Sequence, residues 1–447
     1  MAKERVTHNC TSCGFSSPKW FGRCPDCGAW STAAQQGGDG PTSGVTVLGS
    51  GGAALDRLST GIDEVDRVLG GGFVAGTCAL LAGEPGIGKS TIVLQLLQGM
   101  LNSGRKTLLV TGEESLDQVA LRGSRLGIDA ERFRALSTTS LETVLSASKA
   151  EAPHVLVIDS IQTLETSAAE QGAGSVVQVR DCAAHLTRHA KESGTIVVLV
   201  GHVTKEGTVA GPKTLEHVVD VVLTLEGERT GTVRLLRAAK NRFGSCEETG
   251  VFVMSESGLE PVADPSAMLL ADRRPGVPGS VVFPGLEGTR PLMVEIQALV
   301  AKSDLAQPRR VPIGLDPRRL SLLLGVLSLH AGVDLHGVDV FAAAAGGLTI
   351  KEPASDLAVA LALLSAARRR PVPAEMVVMG EVGLGGEVRR VPGIERRLSE
   401  AARLGFTTAL IPNGITKFPK AMSCIVVPDV LAASRELGAT LQAVDAG

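Results

Sequence analysis

The stretch GEPGIGKST covers Gly83, Glu84, Pro85, Gly86, Ile87, Gly88, Lys89, Ser90 and Thr91; it follows the apolar run CALLA and opens the run STIVLQLLQGM. The pattern G-x4-G-K-S between a strand and a helix is a phosphate-binding loop. Gly86 and Gly88 let backbone N–H groups converge on phosphate oxygens, and the helix start adds partial positive charge. In that arrangement Lys89 reaches the β- and γ-phosphates of ATP, and the Ser90 hydroxyl binds Mg2+. Asp159 closes the apolar run HVLVID, at the strand end where a carboxylate completes a magnesium shell. Glu113 and Glu114 end the run LLVTGEES, where one carboxylate can orient and deprotonate an attacking water. Glu113 is the first candidate for that base and Glu114 the second; both also suit the acidic first turn of a helix. Loop, magnesium carboxylate and base together describe an ATPase.

A second constellation lies near the start. Cys10, Cys13, Cys24 and Cys27 are spaced C-x2-C-x10-C-x2-C, each pair followed by a glycine that lets the chain turn both sulfurs to one point. Four thiolates suit a tetrahedral structural Zn2+ with no position open for catalysis. Metal-loaded, the module is close to neutral, which makes it a poor phosphate grip by charge alone. Trp20, Phe21 and Trp30 are expected to pack its small core, with partner or base stacking as the other role.

These residues need elements to hold them. The strands TCALLAG, KTLLVTG, HVLVIDS, TIVVLVGH and VVDVVLTLE alternate with helical patterns, which gives an α/β fold with a largely parallel sheet. At 447 residues the chain is too long for one core, and 44% hydrophobic with 20% charged residues is globular. A net charge of −3 excludes a generally basic protein, so nucleic acid must be met by local clusters. No apolar run approaches a membrane span and MAKERVTHNC lacks a signal core, so a cytoplasmic, membrane-free location is expected. Reduced thiols there favour metal binding over disulfides.

The zinc module, GEPGIGKST, VTGEES and KNRFG (240–244), in that order, resemble the bacterial RadA (Sms) family along essentially the whole chain. The resemblance implies a RecA-like ATPase core related to hexameric ring helicases, stimulated by DNA. It also implies branch migration and heteroduplex extension in recombinational repair alongside RecA, on single-stranded and branched DNA. The implied division is a four-cysteine zinc finger over 1–31, a linker over 32–52, the ATPase over 53–262, a linker over 263–275 and a Lon-protease-like α+β domain over 276–447. From Arg229 to Arg242 the chain carries five cations and no acid. By similarity to ring helicases, Lys240 and Arg242 reach the γ-phosphate held by the adjacent subunit of a homo-hexamer, with DNA contact as the competing role. Loops 163–176 and 201–214 then face a central channel, where Lys205 and Lys213 are candidate DNA contacts. His202, after the fourth strand, is either a γ-phosphate sensor or an ordinary satisfied histidine.

The Lon-like region raises the question of peptide cleavage. EPASDLAVA places Ser355 at the family's nucleophile position, but Arg397 stands where the paired lysine is expected. Guanidinium stays protonated and cannot serve as the base. Ser355 is therefore expected to be a helix N-cap, and the domain to be proteolytically inactive. An ATP-dependent Lon-like serine protease and a nucleotide-gated DNA-binding scaffold remain the alternatives.

Overall fold

The computed structural model describes residues 7–10, 15–17, 19–30, 33–36, 56–129, 131–168, 171–202, 212–227, 231–415 and 417–439. The chain forms two compact units, Met1–Leu55 and Asp56–Gly447.

In the first unit β1 (Thr7–Cys10) pairs antiparallel with β2 (Ser16–Ser17) and with β3 (Ala33–Gln36). The third strand corrects the expected boundary, because four residues assigned to the 32–52 linker complete the finger's sheet. Strands this short enclose little interior. Phe15 and Phe21 meet edge-on at 5.9 Å. Trp20 and Trp30, expected in the core, are instead 68% and 72% exposed. Trp30 lies 5.7 Å from the Arg23 guanidinium.

The second unit begins with a small ribbon, β4 (Arg57–Leu58) against β5 (Phe73–Val74), around helix α1 (Asp63–Leu69). Then follow β6 (Cys78–Gly83), α2 (Lys89–Asn102), β7 (Thr107–Thr111), α3 (Leu116–Arg125), β8 (Ala135–Ser137), α4 (Leu141–Glu151) and β9 (Val155–Asp159). After these come α5 (Val176–Ser193), β10 (Ile196–His202), α6 (Pro212–Leu215), β11 (Val221–Glu226), β12 (Val233–Asn241), β13 (Thr249–Ser255) and β14 (Gly258–Pro261). The nine-stranded sheet has the order β14-β13-β12-β11-β6-β10-β9-β7-β8. From β11 to β8 it is parallel, and β12, β13 and β14 extend it antiparallel. The parallel strands are apolar on both faces because helices cover both: α2 residues Ile92, Val93 and Leu97 pack one core, and α5 residues Val179, Cys182 and Leu186 the other. The parallel register brings the ends of β6, β7, β9 and β10 to one edge.

The 263–275 junction is not a linker. It contains α7 (Pro265–Leu269), whose start is capped by Asp264 with Pro265 at the first turn. Ser266 is buried, accepts from Met293 N at 3.2 Å and donates to Glu400 at 2.9 Å, which fixes this helix to the C-terminal domain. That domain comprises β15 (Ser280–Glu287), β16 (Arg290–Lys302), β17 (Arg310–Ile313), α8 (Pro317–His330), β18 (Val338–Ala344), α9 (Asp356–Arg368) and β19 (Met376–Val378). It continues with the hairpin β20 (Glu381–Val382) and β21 (Val388–Arg389), then α10 (Ile394–Arg403), β22 (Thr408–Ile411), β23 (Ser423–Val426) and α11 (Val430–Ala439). Its seven-stranded sheet runs β17-β18-β16-β15-β19-β22-β23. Helix α9 is apolar all round and buried from Asp356 to Ser365, as a central core helix must be. Val233, Leu235 and Val251 of the ATPase sheet belong to the same core. Ion pair Arg237–Glu287 crosses between the two sheets, and Arg290 of β16 pairs with Glu64 of α1. Among the described residues no helix is long and apolar enough to cross a membrane.

Candidate functional site

The loop between β6 and α2 has the backbone that its glycines permit. Gly86 and Gly88 adopt φ of 80° and 118°, in the left-handed region that L side chains resist. No side chain caps α2, whose N-cap is Gly88. Its first N–H groups therefore stay available to an anion at the loop. Lys89 is buried, and its Nζ donates to the carbonyls of Gly83 and Glu84, each at 2.9 Å. Burial lowers the Lys89 pKa, opposed by the charges of Asp159 and Glu113. A lysine pinned to its own loop carbonyls holds the cradle open and has phosphate oxygens as better partners.

Across the loop, Asp159 at the end of β9 lines one cavity with Ser90; burial raises its pKa, opposed by the Ser90 hydroxyl. Glu113 lies just beyond β7. Its Oε1 accepts from Ser160 Oγ at 2.5 Å and stands 3.5 Å from His202 Nε2. Glu114 is occupied differently. Its carboxylate pairs with Arg122 at 2.5 Å, and its backbone is held by Thr111 through bonds of 2.9 and 3.1 Å. Ser90, Glu113, Glu114, Asp159 and His202 line one small cavity of about 40 Å³. His202 Nδ1 is buried beside it and has no hydrogen-bond partner among the described residues. An unsatisfied ring nitrogen, a hydroxyl–carboxylate pair and an uncapped helix start fit a bound nucleotide phosphate with its Mg2+. Ser160, the partner of Glu113, is not marked in the sequence, because nothing local singles out a serine after the magnesium carboxylate.

The KNRFG motif lies elsewhere. Asn241 pairs with Val221 and Lys240 with Val222, at the start of β11; Val221 in turn faces Ala79 and Leu225 faces Gly83 on β6. The motif thus occupies the sheet edge opposite the phosphate loop. Lys240 Nζ donates to the carbonyls of Glu216 at 2.5 Å and Val219 at 2.7 Å. Arg242 is half-exposed and touches buried Asp220, Nη1 to Oδ1 at 3.2 Å. Asp220 is a partner of Arg242 that the sequence motifs miss, although an acid inside the apolar run VVDVVLTLE is itself a signal of a buried partner.

Of the two proposed channel lysines, Lys205 lies outside the described residues, and Lys213 falls within α6, where only the backbone is described. The 163–176 loop is tied down at its start, where Glu142 accepts from the Thr166 hydroxyl at 2.8 Å and from Ser167 N at 3.1 Å.

In the finger, the sulfurs of Cys10, Cys24 and Cys27 all lie within 4.8 Å of one another, with Cys10 and Cys27 at 3.7 Å. Sulfurs at ~2.3 Å around a tetrahedral ion stand about 3.8 Å apart, so the set fits zinc. Cys24 accepts from Gly28 N at 3.0 Å, and Gly28 takes φ of 72°, the tight turn that brings Cys27 alongside. Cys13 lies outside the described residues.

The expected N-cap at Ser355 is corrected. Ser355 is helical (φ −78°, ψ −13°), closes a 3-10 turn over Pro353–Ser355, and makes no capping bond. Its buried hydroxyl donates to Glu352 O at 2.9 Å. Pro353 starts the turn three residues before α9, so Ser355 is already inside it. Arg397 is 1% exposed and binds Glu352 through Nη1 (3.0 Å) and Nη2 (2.5 Å), with Pro284 O and Pro392 O taking further donors. The residue at the expected base position is consumed by structure.

Three family models match parts of the chain, and curated relatives match nearly all of it. Residues 58–149 match the KaiC ATPase family, residues 8–33 a rubredoxin metal-binding domain, and residues 343–415 subunit ChlI of Mg-chelatase. The chain is 49% identical to DNA repair protein RadA of Pseudomonas aeruginosa over 430 residues, covering 93% of this chain and 94% of that one. It is 46% identical to DNA repair protein RadA of Escherichia coli (92% and 94% covered) and 44% identical to that of Bacillus subtilis (97% and 99% covered).

Proposed function

The chain belongs to the family of DNA repair protein RadA and carries its ATPase domain, and from that premise we propose that it is a DNA-stimulated ATP hydrolase driving branch migration and heteroduplex extension alongside RecA. The observation that supports the catalytic part is the convergence of Lys89, the Ser90–Asp159 pair and Glu113 at one sheet edge. Lys89 leaves the Gly83 and Glu84 carbonyls for the β- and γ-phosphates. Ser90 and Asp159 would hold Mg2+, which when bound would neutralise charge on the phosphate oxygens. Glu113 orients the attacking water and takes its proton, since Glu114 is committed to Arg122. Arg242, beside a Lys240 that ties down the Glu216–Val219 turn, acts on the nucleotide of a neighbouring copy in a homo-hexameric ring. Lys205 and Lys213 meet the phosphates of DNA in the channel. Cys10, Cys13, Cys24 and Cys27 hold one structural Zn2+ in a cytoplasmic protein.

The peptidase reading loses its base to the Arg397–Glu352 pair. A scaffold without turnover is separated from a motor by measuring ATP hydrolysis with and without single-stranded DNA, with Lys89→Ala as control. Stimulated turnover that vanishes in the control, together with ATP-dependent extension of RecA-made joint molecules, is the expected result. Nucleotide binding with no turnover under any DNA would sink the proposal.

A further inference from the structure

We propose that Asp220 is the positioning residue for Arg242, holding one edge of its guanidinium so that the other edge faces outward toward a neighbouring chain's nucleotide. The inference rests on the trans role proposed above for Arg242. Asp220 immediately precedes β11, and its carboxylate is only 3% exposed. Its backbone N donates to Cys78 O at 2.9 Å, and its Oδ2 accepts from Cys78 N at 3.2 Å. The carboxylate is thus fixed to the first residue of β6, a core strand. Its other oxygen faces two cations: Arg242 Nη1 at 3.2 Å and Lys191 Nζ, from the end of α5, at 3.5 Å. Arg242 is tied to the same residue by its backbone, N to Asp220 O at 3.2 Å. Lys240 fastens the preceding turn at Glu216 and Val219.

This arrangement orients Arg242 and leaves it accessible. A guanidinium carries five donors on a rigid plane. The contact with Asp220 uses Nη1, and the side chain is still 50% exposed. Partners for the rest of the fork come from outside the chain's own nucleotide site. Asp220 is level with Cys78, five residues before Gly83 on β6, which at ~3.3 Å per residue is about 17 Å from the phosphate loop. An arginine side chain does not bridge that gap. A long side chain left free would lose rotamer entropy each time it met a phosphate; one already fixed at Nη1 does not. Asp220 therefore acts through Arg242, and it touches no reacting atom.

The test uses full-length chains in four forms: Asp220→Asn, Arg242→Ala, Arg242→Lys and the Asp220→Asn/Arg242→Ala double variant. Asparagine keeps an acceptor for Cys78 N and nearly the same volume, and removes the charge. Asp220→Asn is expected to lower kcat about 10- to 100-fold, the cost of misplacing a reacting group by about 1 Å, with KM for ATP nearly unchanged. The double variant should be no slower than Arg242→Ala. Mixing Asp220→Asn with Lys89→Ala chains should restore turnover, because new interfaces join a sound loop to a sound finger. Lysine at 242 offers one nitrogen and cannot hold Asp220 and a phosphate together, so Arg242→Lys should be nearly as slow as Arg242→Ala. Should Asp220→Asn fail to fold, that variant decides: recovery to within about threefold of the parent overturns the proposal. Slow Arg242→Ala with normal kcat in folded Asp220→Asn also overturns it, while leaving the trans finger standing. Normal turnover in Arg242→Ala itself refutes the trans finger first.

Discussion

Removing the Glu352 carboxylate should destabilise the C-terminal domain far more than its position on a connecting turn suggests. Glu352 accepts from Arg397 Nη1 and Nη2 and from Leu286 N at 2.8 Å, so one carboxylate satisfies a core guanidinium and a strand N–H together. Glu352→Ala leaves a buried guanidinium without its carboxylate, and a guanidinium stays protonated inside a protein. Breaking a buried ion pair from one side costs ~3–5 kcal/mol. Two features place this pair at the lower end. Arg397 keeps Pro284 O and Pro392 O, and water reaches Glu352, which is a quarter exposed. About 3 kcal/mol is expected, a change of roughly 100-fold in the local opening equilibrium. Two sheets share one core, so a single global melt is a poor readout. Hydrogen exchange of amides in α10 and β15 reports the opening directly. The companion variant, Glu352→Leu with Arg397→Met, removes both charges and should come within about 1 kcal/mol of the parent. An acceleration under about threefold in Glu352→Ala, or a double variant as unstable as the single, would refute the reasoning.

Glu113→Gln should bind ATP normally and lose turnover, because only the proton acceptor is removed; ordinary turnover would move the base to Glu114 despite its pairing with Arg122. Cys24→Ala should release the zinc, read as metal per chain by atomic absorption, with a metal-free parent as the contrary result. Ser355→Ala should cost about 1 kcal/mol, the loss of one buried hydrogen bond, and leave ATPase untouched. Covalent labelling of Ser355 by a fluorophosphonate probe would revive the peptidase reading.

The parts of the site legible in sequence are those whose chemistry is local. Gly86, Gly88, Lys89 and Ser90 specify a cradle within one turn, and Asp159 is marked by ending an apolar strand. The paired cysteines likewise carry their geometry in their spacing. What escaped depends on residues far apart. Glu352 and Arg397 lie on separate elements, and only the folded domain brings them together. Ser355 reads as a cap until Pro353 is seen to start the turn earlier. Ala33–Gln36 has no strand propensity of its own and becomes a strand by pairing with β1. The helix over Pro265–Leu269 is a different case, because its Asp-Pro start is a usable signal that the Gly/Pro-rich surroundings obscured.

The sheet's topology separates the phosphate loop from the KNRFG cations. Parallel pairing of β11 with β6 sends both chains toward the phosphate loop, so the residue that begins β11 must lie at the far edge. Antiparallel β12 then returns along β11 and delivers Lys240 and Arg242 to that edge. No loop rearrangement within one chain can bring them back to Gly83 without breaking the ladder that defines the sheet. On its own nucleotide side the chain does place an arginine, Arg122, but Glu114 holds it. The same strand order that builds the phosphate cradle therefore points the KNRFG cations away from it, toward whatever lies beyond the sheet's other edge. A neighbouring nucleotide and a DNA phosphate both satisfy a guanidinium there. Asp220 favours the nucleotide, because a fixed, one-edged presentation suits a single defined phosphate, whereas DNA gripping by charge tolerates a free side chain.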